Sequence, residues 1–95
     1  MIAELKIFED CSSKEPTKTY PVYQLTTKVT KRIADFQDRY EKNMSMDEAT
    51  KELNYLFKTI FPTITDEELE CTSIENQMDF VLAVVNHFNK VASKN

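Results

Sequence analysis

The chain has 95 residues, of which 41% are hydrophobic and 29% are charged, so we expect a single domain, residues 1–95, with one modest core. Its net charge of −4 argues against non-specific binding to nucleic acid and to anionic membranes, because both attract Lys and Arg. Glycine is absent, which excludes the glycine-rich loops that hold phosphate in nucleotide-binding proteins.

The N-terminal sequence and the apolar runs predict a cytoplasmic protein. Residues 1–6 lack the basic stretch and the apolar core of a signal peptide. The longest apolar run, residues 81–85, is far shorter than the roughly 20 residues of a membrane-spanning helix. We therefore expect Cys11 and Cys71 to be reduced thiols.

Two short segments near the start of the chain predict a β-hairpin. Ile2–Phe8 alternates apolar and polar residues, and Thr19–Gln24 is rich in aromatic and β-branched residues. Pro21 lacks a backbone N–H, which places the second strand at a sheet edge. We expect Tyr20 and Tyr23 to cover the hairpin, although an edge strand could also present them to a partner.

The segment Leu25–Asn43 predicts an amphipathic helix, because its apolar residues recur every three or four positions along one face. This helix carries a basic cluster, Lys28, Lys31 and Arg32. Asp35 follows the cluster at once, so we interpret it as a solvated helical face rather than a nucleic-acid contact.

Three capping boxes predict where the remaining helices begin. In a capping box a Ser or Thr side chain bonds the backbone three residues on, and the Glu at that position bonds back. Ser45–Glu48 opens a second helix, which Pro62 ends. Thr65–Glu68 opens a short helix over about 67–70, and Thr72–Glu75 opens the last helix.

The expected fold class is α+β and helix-dominated, with an N-terminal β-hairpin followed by three main helices and one short helix. We expect the core to consist of the inward-facing apolar residues of these elements: Leu5, Ile7, Val22, Leu25, Val29, Ile33, Phe36, Leu53, Leu56, Ile60, Met78, Val81 and Val85.

No residue set in the sequence predicts a catalytic, cofactor-binding or metal site. The single histidine, His87, falls on the polar side of the last helix, and Cys11 and Cys71 lack the local spacing of a zinc site. The acidic run Asp66–Glu70 lacks the alternating oxygen ligands and the glycine of a calcium loop, so we interpret it as a helix N-terminus. We expect a protein that is not an enzyme and uses no cofactor.

The last helix is apolar over a wider arc than a single buried face requires. Either it is central and covered by neighbours on two sides, or part of its surface binds a partner or a second copy of the chain. The candidate partner-binding residues are Phe80, Val84 and Val91, with Phe57 and Phe61 on the second helix. On that interpretation Val84→Asp weakens association more than folding.

Four segments in order carry a resemblance that covers nearly the whole chain. They are Lys18–Val22 at the second strand, Leu56–Phe61 at the end of the second helix, Pro62–Leu69 with its T-x-x-E-L phrase, and the acidic start Ser73–Glu75 of an apolar closing helix. In this layout the chain resembles the tail assembly chaperones of Gram-positive long-tailed (siphovirus-type) bacteriophages.

The resemblance implies a non-enzymatic protein that binds the tape measure protein and tail tube subunits in the host cell cytoplasm and is absent from the mature virion. It implies no catalytic residue, no nucleic-acid partner and no membrane partner. The alternative is a small regulatory or generic protein-interaction module of a bacterium or prophage. A regulator that binds nucleic acid is expected to concentrate Lys and Arg on one face, whereas this sequence mixes charge signs along its helices.

Overall fold

A computed structural model of the protein describes residues 1–92. Two antiparallel strands open the chain and four helices follow: β1 (Ala3–Ile7), β2 (Lys18–Val22), α1 (Thr27–Asn43), α2 (Met46–Ile60), α3 (Asp66–Glu70) and α4 (Ile74–Ala92). The expected α+β, helix-dominated class is therefore confirmed, with an N-terminal hairpin, three main helices and one short helix.

The hairpin has one apolar face and one face towards solvent. Its register pairs Ala3 with Val22 and Leu5 with Tyr20, so these four side chains lie on the same side of the sheet, and all four are buried. Pro21 lies on the opposite face and is exposed. Two strands alone are marginally stable in water, so the apolar face of this hairpin requires cover from a helix.

Helix α4 supplies that cover and occupies the centre of the molecule. It packs against β1 on one side and against α1 on the other, and α2 packs against α1. This arrangement explains why α4 is apolar around much of its circumference, because a helix with neighbours on two sides buries more than one stripe.

Local side-chain bonds determine where the helices begin. The hydroxyl of Ser45 accepts the N–H of Glu48 at 3.2 Å, and Thr65 forms a complete capping box with Glu68. The predicted start of α4 was one residue early. The hydroxyl of Ser73, and not that of Thr72, accepts the backbone N–H of Asn76 at 3.1 Å. Helix α4 therefore begins at Ile74.

The predicted core is largely confirmed. Eight of its members are buried: Leu5, Ile7, Val22, Ile33, Phe36, Leu53, Leu56 and Val81. Five are only partly buried and pack at its edge: Leu25, Val29, Ile60, Met78 and Val85. The core also includes residues that the prediction left out: Ala3, Tyr20, Ala49, Phe57, Phe61, Ile64, Leu69, Phe80 and Val84.

Candidate functional site

The aromatic residues proposed as a partner surface form the centre of the core. The rings of Phe57 and Phe80 meet edge to face with their centroids 5.1 Å apart. Phe61 lies 5.9 Å from Phe80 and 5.2 Å from Tyr20, which belongs to the hairpin. These rings join α2, α4 and β2, so they hold the fold together and are not presented to a partner.

Helix α4 shows why the predicted surface was misplaced. Its buried residues are Gln77, Phe80, Val81 and Val84, which recur at the spacing of one helical face. The core residues predicted on this helix were Met78, Val81 and Val85; Val81 is buried, but Met78 and Val85 lie at the edge of the core, so the buried face is rotated towards Phe80 and Val84. The expectation of an exposed partner surface is therefore wrong for four of its five residues, Phe57, Phe61, Phe80 and Val84, and only Val91 is exposed, at 52%.

The buried face of α4 continues beyond the core. Phe88 and Val91 follow Val84 by four and seven residues, so all three lie on the same side of the helix. Val84 is 1% exposed, whereas Phe88 is 42% exposed. The last two turns of α4 therefore carry an apolar face that the other described elements cover only in part.

This face forms one wall of an apolar groove. The opposite wall comes from Ile2, just before β1, and from Leu25, in the link between β2 and α1. The groove has a volume of about 190 Å³ and is lined by Ile2, Leu25, Thr27, Thr30, Val84, His87, Phe88 and Val91. We call these eight residues the α4 groove.

The groove is open because three elements end or begin at the same end of the molecule. Strand β1 starts at Ala3, β2 ends at Val22 and α1 starts at Thr27, whereas α4 runs on to Ala92. The buried side chains of the hairpin therefore do not cover the last two turns of α4. His87 is exposed, but it lines the groove together with Val84, so its predicted place on the polar side of α4 is corrected.

Charge is distributed unevenly around the groove. Residues 22–34, which lead into and open α1, include Lys28, Lys31 and Arg32 and no acidic residue. Residues 80–92, the second half of α4, include His87 and Lys90 and again no acidic residue. The groove therefore lies at a locally basic end of a chain whose net charge is −4.

The structure separates the predicted basic cluster into two parts. Nε of Arg32 donates to Oε1 of Glu52 at 2.7 Å, and a second guanidinium nitrogen donates to Oε2 at 3.2 Å. The guanidinium also lies 4.1 Å from the ring centroid of Tyr55. Arg32 thus joins α1 to α2, while Lys28 and Lys31 remain exposed at the start of α1.

The acidic run is a structural joint between α3 and the hairpin. Oε1 of Glu68 accepts the hydroxyl of Tyr20 at 2.7 Å and the backbone N–H of Thr65 at 3.0 Å, and Nζ of Lys18 lies 3.1 Å from Oε2. The hydroxyl of Tyr20 and the N–H of Thr65 lower the pKa of Glu68 from 4.5 to about 2. At neutral pH this carboxylate is therefore ionised, and its oxygens bind Tyr20, Thr65 and Lys18, which suits a structural role.

A second, larger cleft lies at the other end of α4. It has a volume of about 450 Å³, and both cysteines, Cys11 and Cys71, line it together with Glu70, Thr72 and Asn76. Both cysteines are free thiols, as expected. Within residues 1–92, no group of three or more His, Cys, Asp and Glu side chains is placed to hold a metal ion.

The two tyrosines of the hairpin have different environments. Tyr20 is 9% exposed and belongs to the core, so the interpretation that it covers the hairpin is confirmed. Tyr23 is 71% exposed and lies just after β2, in the segment that leads to Leu25 of the groove, so the expectation that it covers the hairpin is wrong. The sequence signal for the groove was the spacing of Val84, Phe88 and Val91, whereas Ile2 and Leu25 are brought to it only by the fold.

Across the part of the chain that the structure describes, no helix is long and apolar enough to cross a membrane.

Comparison with known proteins found no relative of this chain. No protein-family model, no curated protein and no solved structure matches the chain.

Proposed function

We propose that the protein is a non-enzymatic tail assembly chaperone of a long-tailed bacteriophage. In this role it binds the tape measure protein and tail tube subunits in the host cell cytoplasm, and it is absent from the mature virion. The observation that supports the proposal best is the α4 groove, where Phe88 and Val91 extend the buried face of α4 into solvent. An exposed apolar groove on an otherwise charged domain is typical of a protein that covers part of another chain.

The physical demands of tail assembly fit such a domain. A tape measure protein is a long helical chain that exposes apolar surface until the tube encloses it. A small acidic domain that covers these segments keeps the complex soluble, because a net charge far from zero opposes aggregation. Several copies bound along one partner hold it more tightly than one contact does, through multivalency.

Co-expression with a candidate tape measure protein tests the proposal. We expect the tape measure protein to stay in the soluble fraction and to co-purify with the wild-type chain. The Val91→Asp variant is expected to lose this effect, because it places a charge in the groove. Leu82→Asp is the matched control, since Leu82 is 47% exposed on the same helix but does not line the groove.

The opposite result is equally clear. If the tape measure protein precipitates in the presence of the wild-type chain and none is retained, the chaperone proposal fails.

The alternative is a small regulatory or generic protein-interaction module. The exposed Lys28 and Lys31 at the start of α1 favour a regulator that contacts nucleic acid. Binding to a labelled DNA duplex that weakens steeply with salt supports that alternative.

A further inference from the structure

We infer that the α4 groove binds an amphipathic helix whose apolar residues are flanked by carboxylates. This inference rests on the proposed function, in which that helix is a segment of the tape measure protein. It specifies the chemistry of the segment: apolar residues that enter the groove, and Asp or Glu on both sides of them.

The dimensions of the groove favour side chains over a small molecule. Its volume of about 190 Å³ is below the roughly 300–1,000 Å³ of pockets that enclose a small ligand. It is also bounded along one side by Phe88 and Val91, which are three residues apart on α4. A groove along a helix accepts a second helix that inserts apolar side chains at a spacing of three or four residues.

The charges beside the groove favour acidic flanks on that helix. The walls that α1 and α4 contribute belong to segments 22–34 and 80–92, which contain no Asp or Glu. Lys28 and Lys31 are exposed one position after the groove residues Thr27 and Thr30. Carboxylates beside the inserted apolar residues are therefore attracted to Lys28 and Lys31 at the edge of the groove.

The start of α1 adds to the same field. Helix α1 carries no acidic residue in its first turn, whereas α2, α3 and α4 each carry at least one. Carboxylates in the first turn normally compensate the partial positive charge at a helix N-terminus. In α1 the neutral hydroxyl of Thr26 caps the helix and no first-turn carboxylate offsets this charge, which lies beside the groove because Thr27 belongs to both.

The far end of the molecule discourages binding anywhere else. Residues 65–79, which form α3 and the start of α4, contain six acidic residues and no Lys or Arg. Lys18 and Lys58 pair with two of these carboxylates, those of Glu68 and Asp66. The remaining acidic side chains still favour an acidic helix at the basic end over this one, and a basic helix here over the groove. The distribution of charge therefore selects the partner and its position together.

Two model peptides test this inference directly. Both are helices with the same Leu residues at a spacing of three and four positions, and the flanking residues are Glu in one peptide and Lys in the other. We expect the Glu peptide to bind at least about tenfold more tightly than the Lys peptide at about 0.05 M salt, with a smaller difference at about 0.3 M salt. Fluorescence anisotropy of labelled peptides measures both affinities.

Variants of the protein identify the surface that binds. Val91→Asp is expected to weaken binding of the Glu peptide about tenfold or more, and Lys28→Glu with Lys31→Glu is expected to reduce the preference for Glu over Lys. Leu82→Asp introduces the same charge as Val91→Asp on another side of α4 and is expected to leave binding unchanged. Circular dichroism of each variant verifies that the helices are intact.

Three results would overturn the inference. The first is equal or tighter binding of the Lys peptide. The second is loss of binding with Leu82→Asp but not with Val91→Asp. The third is binding of neither peptide together with a change of oligomeric state in Val91→Asp, which makes the groove a contact between copies of this chain. If Val91→Asp still keeps the tape measure protein soluble, the groove is not the site but the chaperone function stands; if wild type fails in that assay, the function itself is wrong.

Discussion

The hydroxyl of Tyr20 donates a 2.7 Å hydrogen bond to Oε1 of Glu68, 48 residues further along the chain. The same carboxylate completes the capping box of α3 by accepting the backbone N–H of Thr65. One side chain therefore both starts a helix and fastens it to the hairpin. Because α3 has only five residues, this attachment holds it in place where its own backbone bonds do not suffice.

Glu68→Gln is expected to lower the free energy of unfolding by about 1–2 kcal/mol at pH 7, because hydrogen bonds to a charged acceptor are stronger than those to an amide. The pKa of Glu68 is lowered from 4.5 to about 2 in the folded protein. Its ionised form therefore stabilises the fold fully above about pH 4.5, and this stabilisation is lost as the pH falls towards 2. Urea unfolding of both proteins between pH 7 and pH 3 measures the difference.

The neighbouring Glu67 provides the control for that experiment. It is exposed and lies in the same first turn of α3. Glu67→Gln is expected to lower the free energy of unfolding much less than Glu68→Gln does. Its difference from wild type is also expected to change little as the pH falls. Equal effects of the two substitutions would assign the stabilisation to the helix N-terminus in general and not to the contact with Tyr20.

Val84→Asp and Val91→Asp are expected to behave oppositely. Val84 is 1% exposed, so a carboxylate there is buried without a partner and destabilises the fold by about 4 kcal/mol or more. Val91 is 52% exposed, so the same change is expected to stay within about 0.5 kcal/mol of wild type. Thermal melts followed by circular dichroism separate the two variants. A Val84→Asp protein that melts at the same temperature as wild type would contradict the place of Val84 in the core.

Arg32→Ala is expected to lower the melting temperature more than Arg39→Ala does. Arg32 forms a bidentate pair with Glu52 on α2 and packs over the ring of Tyr55, so its loss loosens the contact between two helices. Among residues 1–92, Arg39 pairs only with Asp35 on its own helix, in an exposed i,i+4 arrangement. Scanning calorimetry of the two variants compares them. If their melting temperatures fall equally, the link between α1 and α2 adds nothing beyond a surface charge.

Thr72→Val is expected to stabilise the protein by about 1 kcal/mol. The hydroxyl oxygen of Thr72 is buried and has no hydrogen-bond partner within residues 1–92. Valine has nearly the same shape, so the substitution removes the cost of burying a polar group without leaving a cavity. Chemical denaturation measures the change, and Ser73→Ala serves as the contrast. That variant removes the hydroxyl that accepts the N–H of Asn76 at the start of α4, and it is expected to destabilise.

Local features of the sequence predicted the fold well, because caps and strand alternation act within a few residues. Ser45 and Thr65 correctly indicated where α2 and α3 begin. The face that α4 buries was harder to predict, because a helix that is apolar on several sides has no single periodic signal. The sequence therefore left open whether Phe80 and Val84 are candidate partner-binding residues or are covered by neighbours, and the structure buries both.

The groove could not be predicted from the spacing of apolar residues along one helix. The spacing of Phe88 and Val91 was visible in the sequence, but their exposure depends on where the hairpin and α1 stop beneath α4. Ile2 reaches the same groove from the other end of the chain. Contacts between such distant positions depend on the packing of whole elements, which spacing along one helix does not describe.

The packing of the hairpin against α4 also sets an order of events during synthesis. The first strand, Ala3–Ile7, leaves the ribosome well before the helix that covers it, Ile74–Ala92. Until then the apolar face of the hairpin has no permanent cover, and a two-stranded hairpin alone is marginal. The core can therefore close only when α4 has emerged, so the hairpin and α4 become protected from proteolysis together and not one after the other.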